Sequence, residues 1–202
     1  MKIKSLLPLA MALLLIAVMS SCRDTSKTSA DTTDTRAQIE DVKKDVQKQS
    51  MESVDSLPEA PSTPVLDMAH VLSPSEVTEI TQDIVELDSL KLAQVAVVTV
   101  NDLQGKEAHA YATALANKWG VGHKEANDGI TILIKPKTDD TPAGKGQVAI
   151  ATGLGMEKIL TNAMCQRIIN EKMVPEFKQN RYGEAIEEAI DEIKDILTGD
   201  KD

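Results

Sequence analysis

The sequence predicts an α/β fold: a three-layer-like sandwich with a small mixed β-sheet of about four strands flanked by helices. Two observations predict it. Stretches with helical apolar spacing alternate with short aliphatic runs, the pattern that packs helices on a sheet. The last two runs, 130–134 and 148–151, are joined by residues 135–147, rich in Lys, Asp, Pro and Gly and too short for a helical crossover. That pair is therefore expected to be an antiparallel hairpin with a long exposed tip.

Residues 1–22 read as a targeting signal rather than as structure. Lys2 and Lys4 precede an apolar run over 6–19 that is short for a spanning helix. Met19-Ser20-Ser21-Cys22 resembles the lipobox of bacterial lipoproteins, in which small residues precede the cysteine that receives lipid. The abrupt change to polar sequence at Arg23 favours lipidation of Cys22 over an ordinary secretory signal. Arg23, where inner-membrane retention would use Asp, leans towards the outer membrane of a bacterial cell envelope. Residues 23–63 are expected to be a flexible polar tether, since Ser, Thr, Asp, Lys, Gln and Glu leave little to bury. Ile39, Val42 and Val46 have helical spacing, but two turns of weak heptad do not make a coiled coil. Pro58, Pro61 and Pro64 close the segment. About forty flexible residues reach on the order of 35 Å.

The folded domain is expected over 64–198. Ser73-Pro74-Ser75-Glu76 is a capping box with proline at the first helical position. Val77, Ile80, Ile84, Leu87 and Leu90 follow as one helical face. The run 95–100 is apolar without alternation, so a strand covered on both faces is expected. Residues 108–119 form a helix with Tyr111, Leu115 and Trp119 as its stripe, stopped by Gly120 and Gly122. Past the hairpin, 161–173 reads as a helix that presents Ile168, Ile169 and Met173 to the core and stops at Pro175. A last helix over 182–197 buries Ala185, Ile186, Ala189, Ile190, Ile193 and Leu197, and its acids form a solvated face.

Charge and cysteine content restrict the function. The chain carries a formal charge of −10. Without 1–22 it has 20 basic against 32 acidic residues, about −12. Such a surface repels nucleic acid and suits divalent cations or basic partners. Beyond Cys22 only Cys165 remains, so no internal disulfide forms; Cys165 lies on the helical face of Ile169 as a buried thiol. His70, His109 and His123 have no zinc spacing among themselves or with Cys165. No P-loop, nucleophile elbow or EF-hand spacing is present. Gly153-Leu154-Gly155 follows a strand, but Lys158 stands where a dinucleotide fingerprint needs its third glycine, which rejects a dinucleotide site, and no nucleotide partner is expected.

Four pieces together resemble the TPM domain family, named after a thylakoid acid phosphatase, a photosystem repair protein and related bacterial proteins. They are Val65-Leu66-Asp67-Met68-Ala69-His70-Val71-Leu72-Ser73, Gln94-Val95-Ala96-Val97-Val98-Thr99-Val100, Trp119-Gly120-Val121-Gly122 with Asn127-Asp128-Gly129, and Ala151-Thr152-Gly153-Leu154-Gly155-Met156-Glu157. The resemblance spans roughly 64–197. It implies a small sheet flanked by helices and a divalent cation, calcium or magnesium, held by acids near strand ends. Asp67 and Asp128 are the residues it points to, with Glu157 as a further ligand and Glu125 or carbonyls of 120–127 completing the shell. Hard cations take such oxygen ligands from irregular loops. The residues alone also allow a plainer reading: Asp67 pins a first turn, Asp128 shapes a second, and Glu157 meets a helix dipole. Asn162 and Arg181 stand where relatives often carry Asp and a small or acidic residue. Asp67 and Asp128 are expected to lie close together, with the opening motif returning beside the strand that begins at Gly129.

Two functions follow as expectations. One is a monomeric, lipid-anchored cell-envelope module that binds a divalent cation and supports the assembly, repair or quality control of membrane proteins. The alternative, implied by the family name alone, is a metal-dependent acid phosphatase acting on phosphomonoesters through Asp67, Asp128 and Glu157.

Overall fold

The computed structural model describes residues 57–139 and 144–199, so the signal segment, Cys22, Ile39, Val42 and Val46 lie outside the described residues. In chain order the elements are β1 (Val65–Asp67), α1 (Pro74–Ser89), β2 (Gln94–Thr99), α2 (Ala108–Trp119), β3 (Gly129–Lys135), β4 (Gln147–Thr152), α3 (Asn162–Ile168), a π-helical turn (Ile169–Met173), α4 (Val174–Phe177) and α5 (Tyr182–Thr198).

The capping box forms as the sequence predicts. Glu76 N–H donates to Ser73 Oγ at 3.3 Å, and Ser73 N–H donates to Glu76 Oε2 at 2.6 Å. Ile80, Ile84 and Leu87 are buried along α1, whereas Leu90 lies past its end and is 53% exposed. The sheet order is β1-β2-β3-β4. β1, β2 and β3 run parallel, and β4 closes the expected antiparallel hairpin, from Ile130 opposite Thr152 to Lys135 opposite Gln147. β1 thus returns beside β2, not beside β3. The reason is occupancy: β3 has β2 on one edge and its hairpin partner on the other, so no edge of β3 is left for β1.

Alternation along the central strands divides the core. Val95, Val97, Ile130, Ile132 and Ile134 face α1 and α5. Val98, Val100 and Leu133 face Tyr111, Ala112 and Leu115 of α2. Both faces of β2 and β3 are therefore covered, as their unbroken apolar runs require. The two parallel crossovers advance the same way across the sheet but pass over opposite faces, so they have opposite hands. Most such connections are right-handed, which makes one of these an exception.

Three boundaries differ from expectation. Pro175 does not end its helix. Val174 N–H reaches back five residues to Ile169 O, and this wide π turn carries the chain into α4 with Pro175 in its first turn. Leu197 is only partly buried at the end of α5. Residues 57–59, assigned from sequence to the tether, are packed: Leu57 is buried in the α2 face, and Lys118 Nζ donates to its carbonyl at 2.7 Å. Trp119 Nε1 donates to Pro58 O at 2.9 Å. A buried aliphatic side chain and two carbonyl contacts hold the chain well before Pro64.

Candidate functional site

The two candidate aspartates occupy opposite ends of the sheet. Asp67 ends β1 opposite Thr99, and Asp128 immediately precedes β3, whose Gly129 pairs with Gln94. Five residue steps of β2 separate these levels, about 16 Å at the usual strand rise. The structure therefore does not bring Asp67 and Asp128 together. An Asp that precedes a strand sits at its N-terminal end, whereas ligand crevices of open α/β sheets lie outside the C-terminal ends.

Asp67 occupies that C-terminal end, and its carboxylate is already engaged. Val71 N–H donates to Oδ1 at 3.2 Å and Leu72 N–H to Oδ2 at 3.0 Å. Thr99 Oγ1 donates to Oδ1 as well. The following residues fill the space between the strand ends: Met68 N–H meets Thr99 O, Ala69 N–H meets Thr99 Oγ1, and Asn101 Nδ2 meets Met68 O, each at 3.1 Å. Asp67 thus ties the connection from β1 to α1 in place, which is the turn-pinning role.

Asp128 is 7% exposed and belongs to a different arrangement. The backbone N–H of His123 donates to its Oδ1 at 2.7 Å. The imidazole of His123 lies with Nδ1 3.0 Å from Oδ2, and with Nε2 3.4 Å from Asp88 Oδ1. One ring therefore bridges two carboxylates, from the end of α1 and the start of β3. Hydrogen bonding to Asp128 and its charge raise the His123 pKa above the ordinary imidazole value, Asp88 adds to this, and desolvation and Lys91 oppose it. Burial pushes Asp128 upward, but the backbone and side-chain contacts with His123 outweigh it and hold the carboxyl below its usual value.

The glycines of the central signature and of the turn after β4 have a packing role at this end. A Cβ on Gly129 would stand 2.2 Å from Val121 O, and one on Gly122, at φ +107, 2.6 Å from Gly129 N. A Cβ on Gly153 would stand 2.3 Å from Asn127 O, and one on Gly155 1.9 Å from Ala126 O. Backbone lies on backbone here, so only hydrogen fits. Gly155 N–H donates to Asn127 O at 3.0 Å, which brings the turn carrying Glu157 to the Asp128 end of the sheet. Glu157 and Glu125 are both exposed. Among the described residues no group of three or more His, Cys, Asp or Glu side chains is placed to hold a metal ion. Asp67, Asp128 and Glu157 do not fit one coordination shell.

A cavity of about 320 Å³ opens beside the His123 corner, between residues 60–64, α1 and the start of β2. Ile84, Val85, Trp119 and Val121 line it with Asp88 and Gln94. Gln94 Oε1 accepts from Gly122 N–H at 2.7 Å, joining the cavity wall to the signature loop. Cys165 is remote from this end in sequence and role. It is buried, and desolvation pushes its thiol up to about 11, which keeps it a thiol at neutral pH. Asn162 opens α3, and Arg181 forms an ion pair with Glu176.

Asp88 and His123 were not singled out from the sequence as a pair. One signal was available for Asp88: an acid in the last turn of a helix opposes the macrodipole, which marks a carboxylate in need of a cation. Nothing in the spacing of His123 tied it to a helix some thirty residues earlier.

A family model for the TPM domain matches residues 65–196. Among solved structures, the chain is similar to the N-terminal domain of a protein from P. gingivalis, solved in solution by NMR. Identity is 25%, the TM-score is 0.59, and the match covers 69% of this chain and 84% of that one. It is also similar in fold to the N-terminal domain of the cg2496 protein from Corynebacterium glutamicum, at 14% identity and a TM-score of 0.51, covering 68% of this chain and 82% of that one. No curated protein matches the chain.

Proposed function

The chain belongs to the TPM domain family, and on that premise we propose that it is a lipid-anchored module of a bacterial cell envelope that binds rather than hydrolyses. Its service is the assembly, repair or quality control of membrane proteins. The observation that carries this reading is the separation of the two aspartates. A metal-dependent phosphatase using Asp67, Asp128 and Glu157 needs them around one ion. Here Asp67 is bound by two backbone N–H groups and a hydroxyl at one end of the sheet. Asp128 is paired with His123 at the other. Binding of calcium or magnesium is accordingly proposed for the Asp128 end alone, with Glu157 on the adjoining turn and no share for Asp67.

The anchor is proposed at Cys22, with the outer membrane favoured. No helix among the described residues is long and apolar enough to cross a membrane, so lipid on Cys22 is the attachment this reading uses. Two assays test the proposal. Full-length protein, incubated with a phosphomonoester and calcium or magnesium, is expected to show no turnover above that of Asp128→Asn. Metal-dependent turnover that falls sharply in both Asp67→Asn and Asp128→Asn would establish the phosphatase instead. Cys22→Ala is expected to move the protein from the membrane fraction to the soluble one. Unchanged attachment, with no acyl label on the wild type, would remove the anchor.

A further inference from the structure

We propose that the cavity beside the His123 corner receives an extended segment of a partner protein, with a lysine or arginine side chain inside and its cationic head at Asp88. This rests on the binding reading above and names the chemistry of the partner.

The first support is a stretch of strand edge left without a backbone partner. Backbone groups of β2 point to alternate sides. Gln94 N–H and Val100 N–H donate towards β3, to Asp128 O and Ile134 O. Val97 N–H donates to Pro64 O, and Thr99 O accepts from Met68 N–H, on the β1 side. Val95 therefore also faces the β1 side, at a level where β1 has not begun. In parallel pairing the donor for its carbonyl would come from residue 64, which is proline and has none. Among the described residues no backbone group meets Val95 N–H or C=O. Val95 is 2% exposed and lines the cavity. Buried backbone groups require partners, and a strand edge takes them from an added extended chain.

The second support is charge. Asp88 Oδ1 makes no hydrogen bond and is itself occluded, while the Asp88 side chain as a whole is 43% exposed. His123 Nε2, at 3.4 Å, lies at ion-pair distance without hydrogen-bond geometry. An acceptor of this kind, at the unfavourable end of the α1 dipole, favours a cationic donor. Ile84, Val85 and Trp119 offer an apolar wall for the stem of a long basic side chain, which keeps its head at the polar rim. The amide nitrogen of Gln94 supplies a donor beside it, since Oε1 alone is used in the bond to Gly122. The volume of about 320 Å³ falls in the lower part of the range for ligand sites. The chain charge of −10 steers basic segments towards the domain.

Trp119 is the single tryptophan of the chain and lines the cavity, so its emission reports occupancy. Full-length protein in detergent micelles is titrated with a capped hexapeptide of alternating threonine and valine carrying one central lysine. A saturable change in emission is expected, with slower hydrogen exchange at the Val95 amide. Replacing the central lysine by norleucine or glutamate should weaken binding about tenfold or more. Asp88→Asn should bring the lysine and norleucine peptides close to equal affinity, with the unfolding midpoint measured as the folding control. If Asp88→Asn does not fold, Val85→Lys, placing an amine on the exposed rim, should block the peptide. No saturable change, equal affinity for lysine and norleucine in the wild type, or n-pentylamine binding as tightly as the peptide would overturn the proposal. Any of these with no metal-dependent hydrolysis leaves the binding reading standing; hydrolysis through both aspartates overturns that reading by itself.

Discussion

Asp67 ends one strand of the sheet and Asp128 immediately precedes another, and they do different things. Asp67 meets two amides and a hydroxyl, which hold a loop shut. Asp128 meets an amide and an imidazole that also reaches Asp88 beside a cavity. The first end is closed by its own backbone; the second combines a titratable bridge with an adjoining cavity. The difference teaches that residue type and strand proximity do not define a site. The partners of the carboxylate do, and they separate a fastening from a place where binding can occur.

The comparison can be broken most forcefully through the glycines of the Asp128 end. Gly155→Ala would set a Cβ 1.9 Å from Ala126 O, and Gly129→Ala one 2.2 Å from Val121 O. Backbone must move in both, and losses of about 3–4 kcal/mol in urea unfolding are expected. A loss below about 1 kcal/mol would mean that the loops are not tightly apposed.

Removing the Asp67 carboxylate tests the fastening. Asp67→Ala leaves Val71 N–H, Leu72 N–H and Thr99 Oγ1 without their acceptor. It should cost about 2–3 kcal/mol, and Asp67→Asn about half as much, because one acceptor oxygen remains. Unaltered peptide binding in Asp67→Asn would sharpen the contrast between the ends. Asp128→Asn should cost less in stability, about 1 kcal/mol, since the amide oxygen still accepts from His123 N–H.

The smallest effect is the pH dependence of the bridge. His123 has its pKa raised above 6.5, so its contribution is complete below that value and is lost as pH rises through the raised one. Asp128 has its pKa lowered below 3.8, so its contribution is present above that value and is lost as pH falls through the lowered one. The melting-temperature gap between wild type and His123→Ala should therefore be widest from about pH 4 to 6.5 and should close at higher pH. A gap that is constant from pH 5 to 9 would show that the His123 side chain contributes without its charge, and no gap at all that only its backbone N–H matters.

What the sequence made legible was local. The capping box at Ser73, the Tyr111 and Leu115 stripe, the 130–151 hairpin and the α5 face depend on spacing over a few residues. Strand order does not. The expectation that Asp67 meets Asp128 failed because Asp67 ends its strand while Asp128 precedes a parallel one, and strand direction is a property of the assembled sheet. The π turn before Pro175 was hidden because a proline marks a break in the local code, while tertiary packing of Ile169 and Met173 selected a wider turn. Leu57 was hidden in polar surroundings, where one aliphatic residue carries no period. The His123 bridge draws on α1, a loop and β3, and no sequence motif joins them.

The central claim is that the two aspartates serve separate ends and share no ion. A double-mutant cycle of Asp67→Asn and Asp128→Asn, run by urea unfolding with and without saturating calcium and again with magnesium, measures their coupling directly. Distant sites add to within about 0.5 kcal/mol, and that is the result expected in every buffer. A coupling well above 1 kcal/mol that appears only with the divalent cation would place both carboxylates on one ion and contradict the account.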